Sequence, residues 1–304
     1  MNIKQLRCIH EIVRHDFNAS RAAEALHTTQ PAVSAQVRQL ETELGVRIFE
    51  RNGKRLTGLT EPGARVLELA RRVLEEVEDI RRVGSDFRAE DVGTLVIATT
   101  HTQARYALPE TIRAFRARYP KVKLRIRQGA PTDLCRWVLE GEADFAIATE
   151  AIPHTPGLSM LPCYRWNRCL VAPHGHPLLD VRPLTLEAIA AHPLVTYDFA
   201  FAGRSVVEQA FTQAGLRPEV VLTALDSDVL KHYVALGLGV GILAKMAYDP
   251  DDDRDLAARD LSHLFPDSTT HLGYRRGRYL RGYMREFIRL FVPHLPEGAL
   301  DDDQ

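Results

Sequence analysis

The chain has 304 residues, 45% hydrophobic and 26% charged, too many for one ordinary domain and apolar enough for two or three buried cores. Its formal net charge of −1 excludes a wholly basic nucleic-acid coat protein, but not a compact DNA-binding module with a locally basic face. No apolar run approaches the roughly 20 residues of a membrane helix, and the first residues lack a signal peptide's apolar core, so a cytoplasmic protein away from membranes is expected.

The four cysteines, Cys8, Cys135, Cys163 and Cys169, form no C-x-x-C pair and no zinc-spaced cluster, and reduced structural thiols are expected. Residues 1–60 hold nine Lys/Arg against six Asp/Glu, a mild positive excess. Ile3, Leu6, Ile9, Ile12 and Val13 recur at helical spacing over 3–14. A short helix rich in small residues follows over 19–26. Thr28 or Thr29 is a suitable N-cap for a third helix opening Gln30-Pro31, proline being tolerated in a first turn. Val33, Val37 and Leu40 mark its buried face, leaving Thr29, Gln30, Pro31, Ser34, Gln36 and Arg38 for contacts elsewhere.

Two helices joined by a turn, the second bearing amides and hydroxyls near its start, fit a helix-turn-helix docking into a major groove. Glutamine can read adenine edges, and serine can serve base or phosphate. Residues 45–57 then read as a two-stranded wing turning at Asn52-Gly53. Arg51, Lys54 and Arg55 place positive charge at its tip, where phosphates would lie. A small bundle with a merely solvated polar face is the plain alternative. Against it, Thr29-Gln30-Pro31-Ala32-Val33-Ser34, Gln36-Val37-Arg38-Gln39-Leu40-Glu41, Leu44-Gly45 and Phe49-Glu50-Arg51 together resemble the signature of LysR-type transcription regulators.

Thr60-Glu61-Pro62-Gly63 opens a long helix reaching about Phe87. Val66, Ala70, Val73, Val77, Ile80, Gly84 and Phe87 follow alternating four- and three-residue steps, a heptad seam suited to dimerisation. The seam could instead pack on its own domain. In LysR-type regulators the resemblance implies a homodimer, usually paired into a homotetramer.

From Gly93 strands and helices alternate. Strands are expected at 95–98, 122–126, 144–148, 194–197, 220–224 and 240–244, with helices ending near Tyr119, over about 131–140 and over about 279–292. This predicts α/β lobes with largely parallel sheets. The whole chain then reads as an N-terminal all-α winged helix-turn-helix plus a long linker helix. A C-terminal α/β, two-lobed sensor domain like a periplasmic binding protein follows. The boundaries are 1–59, 60–90 and 91–304, with lobe I at about 91–164 and 268–304 and lobe II at about 165–267.

Thr99-Thr100-His101-Thr102-Gln103 and Thr149 stand at strand ends, where open α/β sheets bind ligands. Hydroxyls, an amide and helix-start N–H groups suit a small anion, although such strand ends are commonly only caps. The segments 99–109, 143–151, 161–164, 166–168, 193–197, 203–205 and 236–241 resemble the CysB-like branch of the LysR-type regulators. That resemblance implies a regulator of cysteine biosynthesis and sulfur assimilation that binds double-stranded promoter DNA. It further implies a small-molecule effector, N-acetylserine or O-acetylserine, with sulfate or thiosulfate also entering the cleft, and contact with RNA polymerase. Thr100, Thr102, Gln103 and Thr149 match the branch's anion-binding positions, and Trp166 and Thr196 are weaker candidates. Ala202 departs by standing where a further cleft threonine is usual, so the ligand's identity stays open. A regulator of sulfonate or sulfate-ester use, sensing adenosine phosphosulfate, is the alternative.

Other signals are weak. Gly237-Leu238-Gly239-Val240-Gly241 is preceded by a helix and followed by a strand, the reverse of a dinucleotide loop. Asp249-Pro250-Asp251-Asp252-Asp253 lacks calcium-loop spacing. The twelve histidines are dispersed, and neither a metal nor a cofactor is expected. No nucleophile-elbow or zinc-protease motif appears, so catalysis is not expected. An enzyme or transport-type binding protein built on the α/β half would leave the winged helix unexplained.

Overall fold

A computed structural model describes residues 1–53, 55–86, 92–149, 155–198, 202–296 and 298–300, with the side chains of 75, 81–86 and 202–205 excepted. It separates into two compact units, Met1–Arg88 and Ala89–Gln304. Among the described residues no helix is long and apolar enough to cross a membrane.

The first unit begins with α1 (Ile3–Arg14), α2 (Ala19–Ala25) and α3 (Gln30–Leu44). A capping box starts α1: Asn2 Oδ1 accepts from Gln5 N at 3.1 Å, and Gln5 Oε1 accepts from Asn2 N at 2.8 Å. Asn18 Oδ1 caps α2 by accepting from the amides of Ser20 and Arg21, each at 3.1 Å. Thr29 occupies the N-cap of α3, yet its hydroxyl makes no capping hydrogen bond. The sequence suggests a cap here, but Pro31 removes one first-turn N–H. The helix runs three residues beyond Glu41 and stops at Gly45, whose φ of +70° is a left-handed stop.

Strands β1 (Phe49–Asn52) and β2 (Arg55–Leu59) pair antiparallel as the wing, and α4 (Glu61–Asp86) follows. The core collects Ile9, Ile12, Ala22, Val33, Val37, Leu40, Ile48, Phe49, Leu67 and Ala70. Ile3, expected on the buried face of α1, is 42% exposed. Gly63 is required where α4 crosses the wing: a Cβ there would lie 2.0 Å from the Ile48 carbonyl oxygen. The seam expected along α4 divides. Ala70 is buried and Val66 packs on the core, but Val73 and Ile80 face outward with Leu69. Phe87 lies outside the described residues, and so does the burial of Gly84.

The second unit runs β3 (Gly93–Thr99), a π-helical turn (Gln103–Ala107), α5 (Leu108–Arg118), β4 (Val122–Gln128), α6 (Pro131–Leu139) and β5 (Phe145–Thr149). Two long strands, β6 (Leu158–Trp166) and β7 (Arg168–Pro173), lead to α7 (Leu186–Ala190), β8 (Leu194–Tyr197), α8 (Ala202–Gln213), β9 (Val220–Ala224), α9 (Ser227–Ala235) and β10 (Val240–Ala244). The unit closes with β11 (Leu256–Asp260), β12 (Ser268–Arg275) and α10 (Gly282–Phe291).

Lobe I is the sheet β4-β3-β5-β12-β6, and lobe II the sheet β11-β7-β10-β8-β9. The chain crosses between them at Asn167 and returns between β11 and β12. The expected strands run parallel, β3 to β4 and β5, and β8 to β9 and β10. Antiparallel strands complete both sheets: β12 against β5 and β6, and β7 against β10 and β11. Phe115, Phe145, Phe287 and Met284 centre lobe I, so α10 does return to it. Leu170, Ile189, Leu194, Phe211 and Ile242 centre lobe II. Gly237, with φ +80°, makes the tight turn from α9 into β10.

Candidate DNA interface and ligand cleft

Burying Val33, Val37 and Leu40 turns the opposite side of α3 outward. Gln30, Ser34 and Arg38 stand one turn apart in a row, Gln30 and Arg38 exposed. Gln30 Nε2 donates to Ser34 Oγ at 2.9 Å, so these two groups satisfy each other in the free protein. Thr29 and Pro31 are exposed at the helix start. Gln36 falls on a different flank, its Oε1 enclosed without a hydrogen bond. On the wing, Arg55 is exposed, whereas Arg51 is tied to Glu41 by a 2.9 Å ion pair. Lys54 lies outside the described residues.

In the second unit a cleft of about 60 Å³ opens between the lobes, lined by Thr100, His101, Thr102, Gln103, Pro131, Thr149, Trp166, Tyr197, Leu225 and Ala244. Five of the residues singled out from sequence therefore converge: Thr100, Thr102, Gln103, Thr149 and Trp166. The four threonine and glutamine residues do so because β3 and β5 are adjacent parallel strands whose carboxyl ends share one edge, and Trp166 joins them from the end of β6. Among the described residues the lining offers hydroxyls, an amide, an imidazole and an indole, but no lysine or arginine. Helical structure begins at His101, and the leading N–H groups of such a turn have no partner within the helix.

Thr196 does not join them. Successive residues of a strand face opposite sides, and Tyr197 takes the cleft side of β8. Thr196 is buried on the other side, lining a separate cavity of about 280 Å³ with Leu194, Phe211 and Val220. Ala202 begins α8, and its side chain lies outside the described residues.

Thr270, on β12, is a buried residue behind the cleft wall that the sequence did not suggest. Its Oγ1 accepts from Trp166 Nε1 at 3.1 Å and from Gln103 Nε2 at 3.4 Å, and lies 3.5 Å from Thr149 Oγ1. Tyr164 donates its hydroxyl to Gln103 Oε1, and burial pushes that phenol up to about 12. Gln103 is thus held at both ends of its amide. Across the cleft, Tyr197 and Ser227 hydroxyls meet at 2.6 Å, and Ser227 lies 3.4 Å from Thr102 Oγ1.

The rim joins the lobes through Asp228. Tyr106 donates to its Oδ1 at 2.5 Å, and His101 and Arg105 approach its Oδ2, each at 3.6 Å. Burial, then the hydrogen bond to Asp228, raises the Tyr106 phenol to about 12. Burial pushes the Asp228 carboxyl up, but the Tyr106 hydroxyl and the charges of Lys231, His101 and Arg105 outweigh it and hold it below the usual range. His101, Asp226 and Asp228 present ligand atoms within 4.8 Å of one another, a grouping the dispersed histidines did not foretell. Asp226 already caps α9, accepting from Val229 N at 2.8 Å, and Lys231 adds its charge 3.6 Å from Asp228. With two cations beside it, the cluster is an ion-pair network rather than a metal site.

A winged helix-turn-helix followed by a two-lobed domain with a polar cleft defines a ligand-responsive transcription regulator. The chain belongs to the LysR family: residues 3–64 match the bacterial regulatory helix-turn-helix protein, lysR family, and residues 88–296 the LysR substrate binding domain. It is 52% identical to the HTH-type transcriptional regulator SsuR of Burkholderia cenocepacia, over 99% of this chain and 97% of that protein. It is 50% identical to the HTH-type transcriptional regulator CysB of the same organism, over 99% and 96%. Among solved structures, the cofactor-binding domain of the Cbl transcriptional regulator is similar at TM-score 0.67 and 44% identity, covering 70% of this chain and 93% of that one. As LysR-type regulators do, the protein binds promoter DNA and a small-molecule effector in its substrate-binding domain.

Proposed function

We propose that this regulator controls cysteine-biosynthesis and sulfur-assimilation genes in the cytoplasm, and that its effector cleft receives a small oxyanion such as sulfate or thiosulfate, or acetylserine. The carrying observation is the cleft wall, where the hydroxyls of Thr100, Thr102 and Thr149 and the amide of Gln103 surround one space that Trp166 also lines. Neutral hydroxyl and amide donors suit an anion that must bind and leave as its concentration changes. A volume of about 60 Å³ holds on the order of five waters, room for an oxyanion the size of sulfate. Acetylserine is larger and needs the lobes to part. That difference gives the two ligand types different preferred lobe geometries, and hence different effects on DNA affinity.

Adenosine phosphosulfate, the effector of a sulfonate-use regulator, is the second reading, because the hydroxyl missing at Ala202 leaves the ligand's identity open. On the DNA side, Gln30, Ser34 and Arg38 read base edges or phosphates, with Arg51, Lys54 and Arg55 along the backbone. Two copies joined through α4, paired again into a tetramer, present two recognition helices to half-sites and contact RNA polymerase.

Calorimetry of the full chain against sulfate, thiosulfate, N-acetylserine, O-acetylserine and adenosine phosphosulfate tests the ligand. Binding to a promoter duplex is measured beside it, with and without each compound. Heat from sulfate and acetylserine, with altered duplex affinity, is expected. Heat from adenosine phosphosulfate alone establishes the second reading instead.

A further inference from the structure

Tyr106 and Leu108 stand two residues apart in lobe I, yet their side chains enter different cores. Leu108 is fully buried in the lobe I core around Phe115. Tyr106 instead packs on the lobe II cluster that holds Val171, Leu230, Val234, Leu243 and Leu256. The two straddle the end of the π-helical turn Gln103–Ala107, a form rare in proteins and frequent at functional sites.

The polar end of Tyr106 is fixed in lobe II as well. Its hydroxyl donates to Asp228 Oδ1 at 2.5 Å, at the start of α9, and Lys231 Nζ lies 5.3 Å from its ring centroid. His101 Nε2 and Arg105 Nε, also from lobe I, each stand 3.6 Å from Asp228 Oδ2. Lys231 is turned mainly to Asp253, at 2.8 Å, against 3.6 Å to Asp228. The nearest of these partners of Asp228 is therefore the tyrosine of the opposite lobe. The carboxylate side chain is 41% exposed, on a cavity of about 400 Å³ that Tyr106 also lines. Water can replace the tyrosine hydroxyl there, so the bond is able to break and remake.

The same turn carries residues of the effector cleft. Thr100, Thr102 and Gln103 line it, and Thr102 Oγ1 lies 3.4 Å from the hydroxyl of Ser227, the neighbour of Asp228. A short segment anchored in lobe I thus reaches the cleft with its first residues and lobe II with Tyr106. Lobes that part at α9 break the Tyr106–Asp228 bond as Thr102 leaves Ser227.

Resting on the reading of the cleft as the effector site, we propose that Tyr106 and Asp228 form a latch that sets which effector the cleft prefers. With the latch made, the cleft offers about 60 Å³, room for a sulfate-sized oxyanion. With it broken, the lobes separate at α9 and admit the longer acetylserine. Neither Tyr106 nor Asp228 lines the cleft, so both act as positioning residues.

Sulfate then binds the latched form and N-acetylserine the parted form, and each apparent Kd is the intrinsic value divided by the population of its form. The ratio of the two Kd values follows the latch equilibrium alone, whatever the starting populations. A hydrogen bond to a charged acceptor shifts such an equilibrium by about tenfold. A side chain with only a packing role weakens both ligands alike and leaves the ratio fixed.

The test is calorimetry of the full chain and its Tyr106→Phe, Asp228→Ala and double variants against sulfate and N-acetylserine. Tyr106→Phe is expected to raise the ratio of the sulfate Kd to the N-acetylserine Kd about tenfold, by weakening sulfate, tightening N-acetylserine or both. Asp228→Ala also frees His101 and Arg105 and is expected to raise the ratio further. Adding Tyr106→Phe to it is expected to change little more, because the two side chains act through one bond. In the ligand-free chains, the amides of 103–107 are expected to exchange hydrogen faster in Tyr106→Phe than in the parent. A ratio that stays within about twofold, equal weakening of both ligands, additive effects in the double variant, or unchanged exchange overturns the latch and leaves the cleft reading intact. Heat from only one of the two ligands in every chain leaves no preference to set and overturns the latch alone. Absence of heat from both with the parent protein overturns the cleft reading, and the latch with it.

Discussion

Glu41, near the end of α3, accepts a 2.9 Å hydrogen bond from Arg51 of the wing. The other oxygen of the same carboxylate accepts from the backbone N–H groups of Ile48 and Phe49 at 2.9 and 3.3 Å. Ile48 and Phe49 are buried, so those amides have little access to water. Glu41→Ala strands them and should destabilise the first unit by about 1–3 kcal/mol, measured by urea unfolding. Glu41→Gln keeps a carbonyl acceptor and should cost less than half as much. Equal losses for the two variants contradict the capping role.

The DNA and ligand functions should separate cleanly by mutation. Arg38→Ala removes an exposed cation and should weaken duplex binding across sequences while lowering the salt slope by about one. Ser34→Ala also frees Gln30 from its 2.9 Å bond, so its effect should depend on the base sequence offered. Neither should alter sulfate affinity. Thr102→Ala should do the reverse: its hydroxyl meets that of Ser227 only at a long 3.4 Å, so stability changes little while anion affinity falls. Unchanged ligand affinity in Thr102→Ala removes that residue from the cleft assignment.

The helix-turn-helix and the parallel strands were legible in the sequence because their signals are local. Val33, Val37 and Leu40 lie on one face of one helix, and β3, β5, β8 and β10 are short apolar runs. Thr270 was not legible. It stands in Ser268-Thr269-Thr270-His271, polar residues whose burial depends on β12 slotting between β5 and β6, both distant in sequence. Thr196 misled for a related reason: a hydroxyl at a strand end looks alike on either face, and only the sheet's orientation sends Tyr197 to the cleft.

Thr270 accordingly carries its own prediction. Thr270→Val preserves shape but deletes the acceptor of Trp166 Nε1 and Gln103 Nε2. Gln103 is 2% exposed, so its amide gains no compensating water. A stability loss of about 1–3 kcal/mol in thermal or urea melts is expected. Sulfate binding should weaken as well, since both donors lose their fixed orientation. A variant that melts and binds like the parent rules out Thr270 as the organiser of this wall.

On α4, Leu69 is 60% and Ile80 72% exposed, with Val73 between them at 43%. Three large apolar side chains spaced along one helix are costly to leave in water, each recovering part of the roughly 1.5–3 kcal/mol of a complete burial when covered. A second copy of α4 is the expected cover. Ile80→Glu should shift the particle mass toward the monomer in light scattering. It should also depress affinity for a two-half-site duplex far more than for a single half-site. An unchanged mass with Ile80→Glu and Leu69→Glu combined would falsify this dimer contact.

The thiols should be silent at neutral pH. Burial pushes Cys163 and Cys169 up to about 12, and burial raises Cys8 and Cys135 as well. The thiolate is the form that attacks disulfides and peroxides, and at neutral pH a thiol so shifted contributes almost none of it. All four cysteines are buried and free. Native protein should therefore resist a thiol-reactive disulfide reagent, while unfolding in guanidinium exposes the full set to it. Duplex affinity should be unchanged after mild peroxide treatment that leaves methionine intact. Fast labelling of Cys163 or Cys169 in the folded protein, or peroxide-dependent DNA release, would instead mark a thiol as part of the sensing.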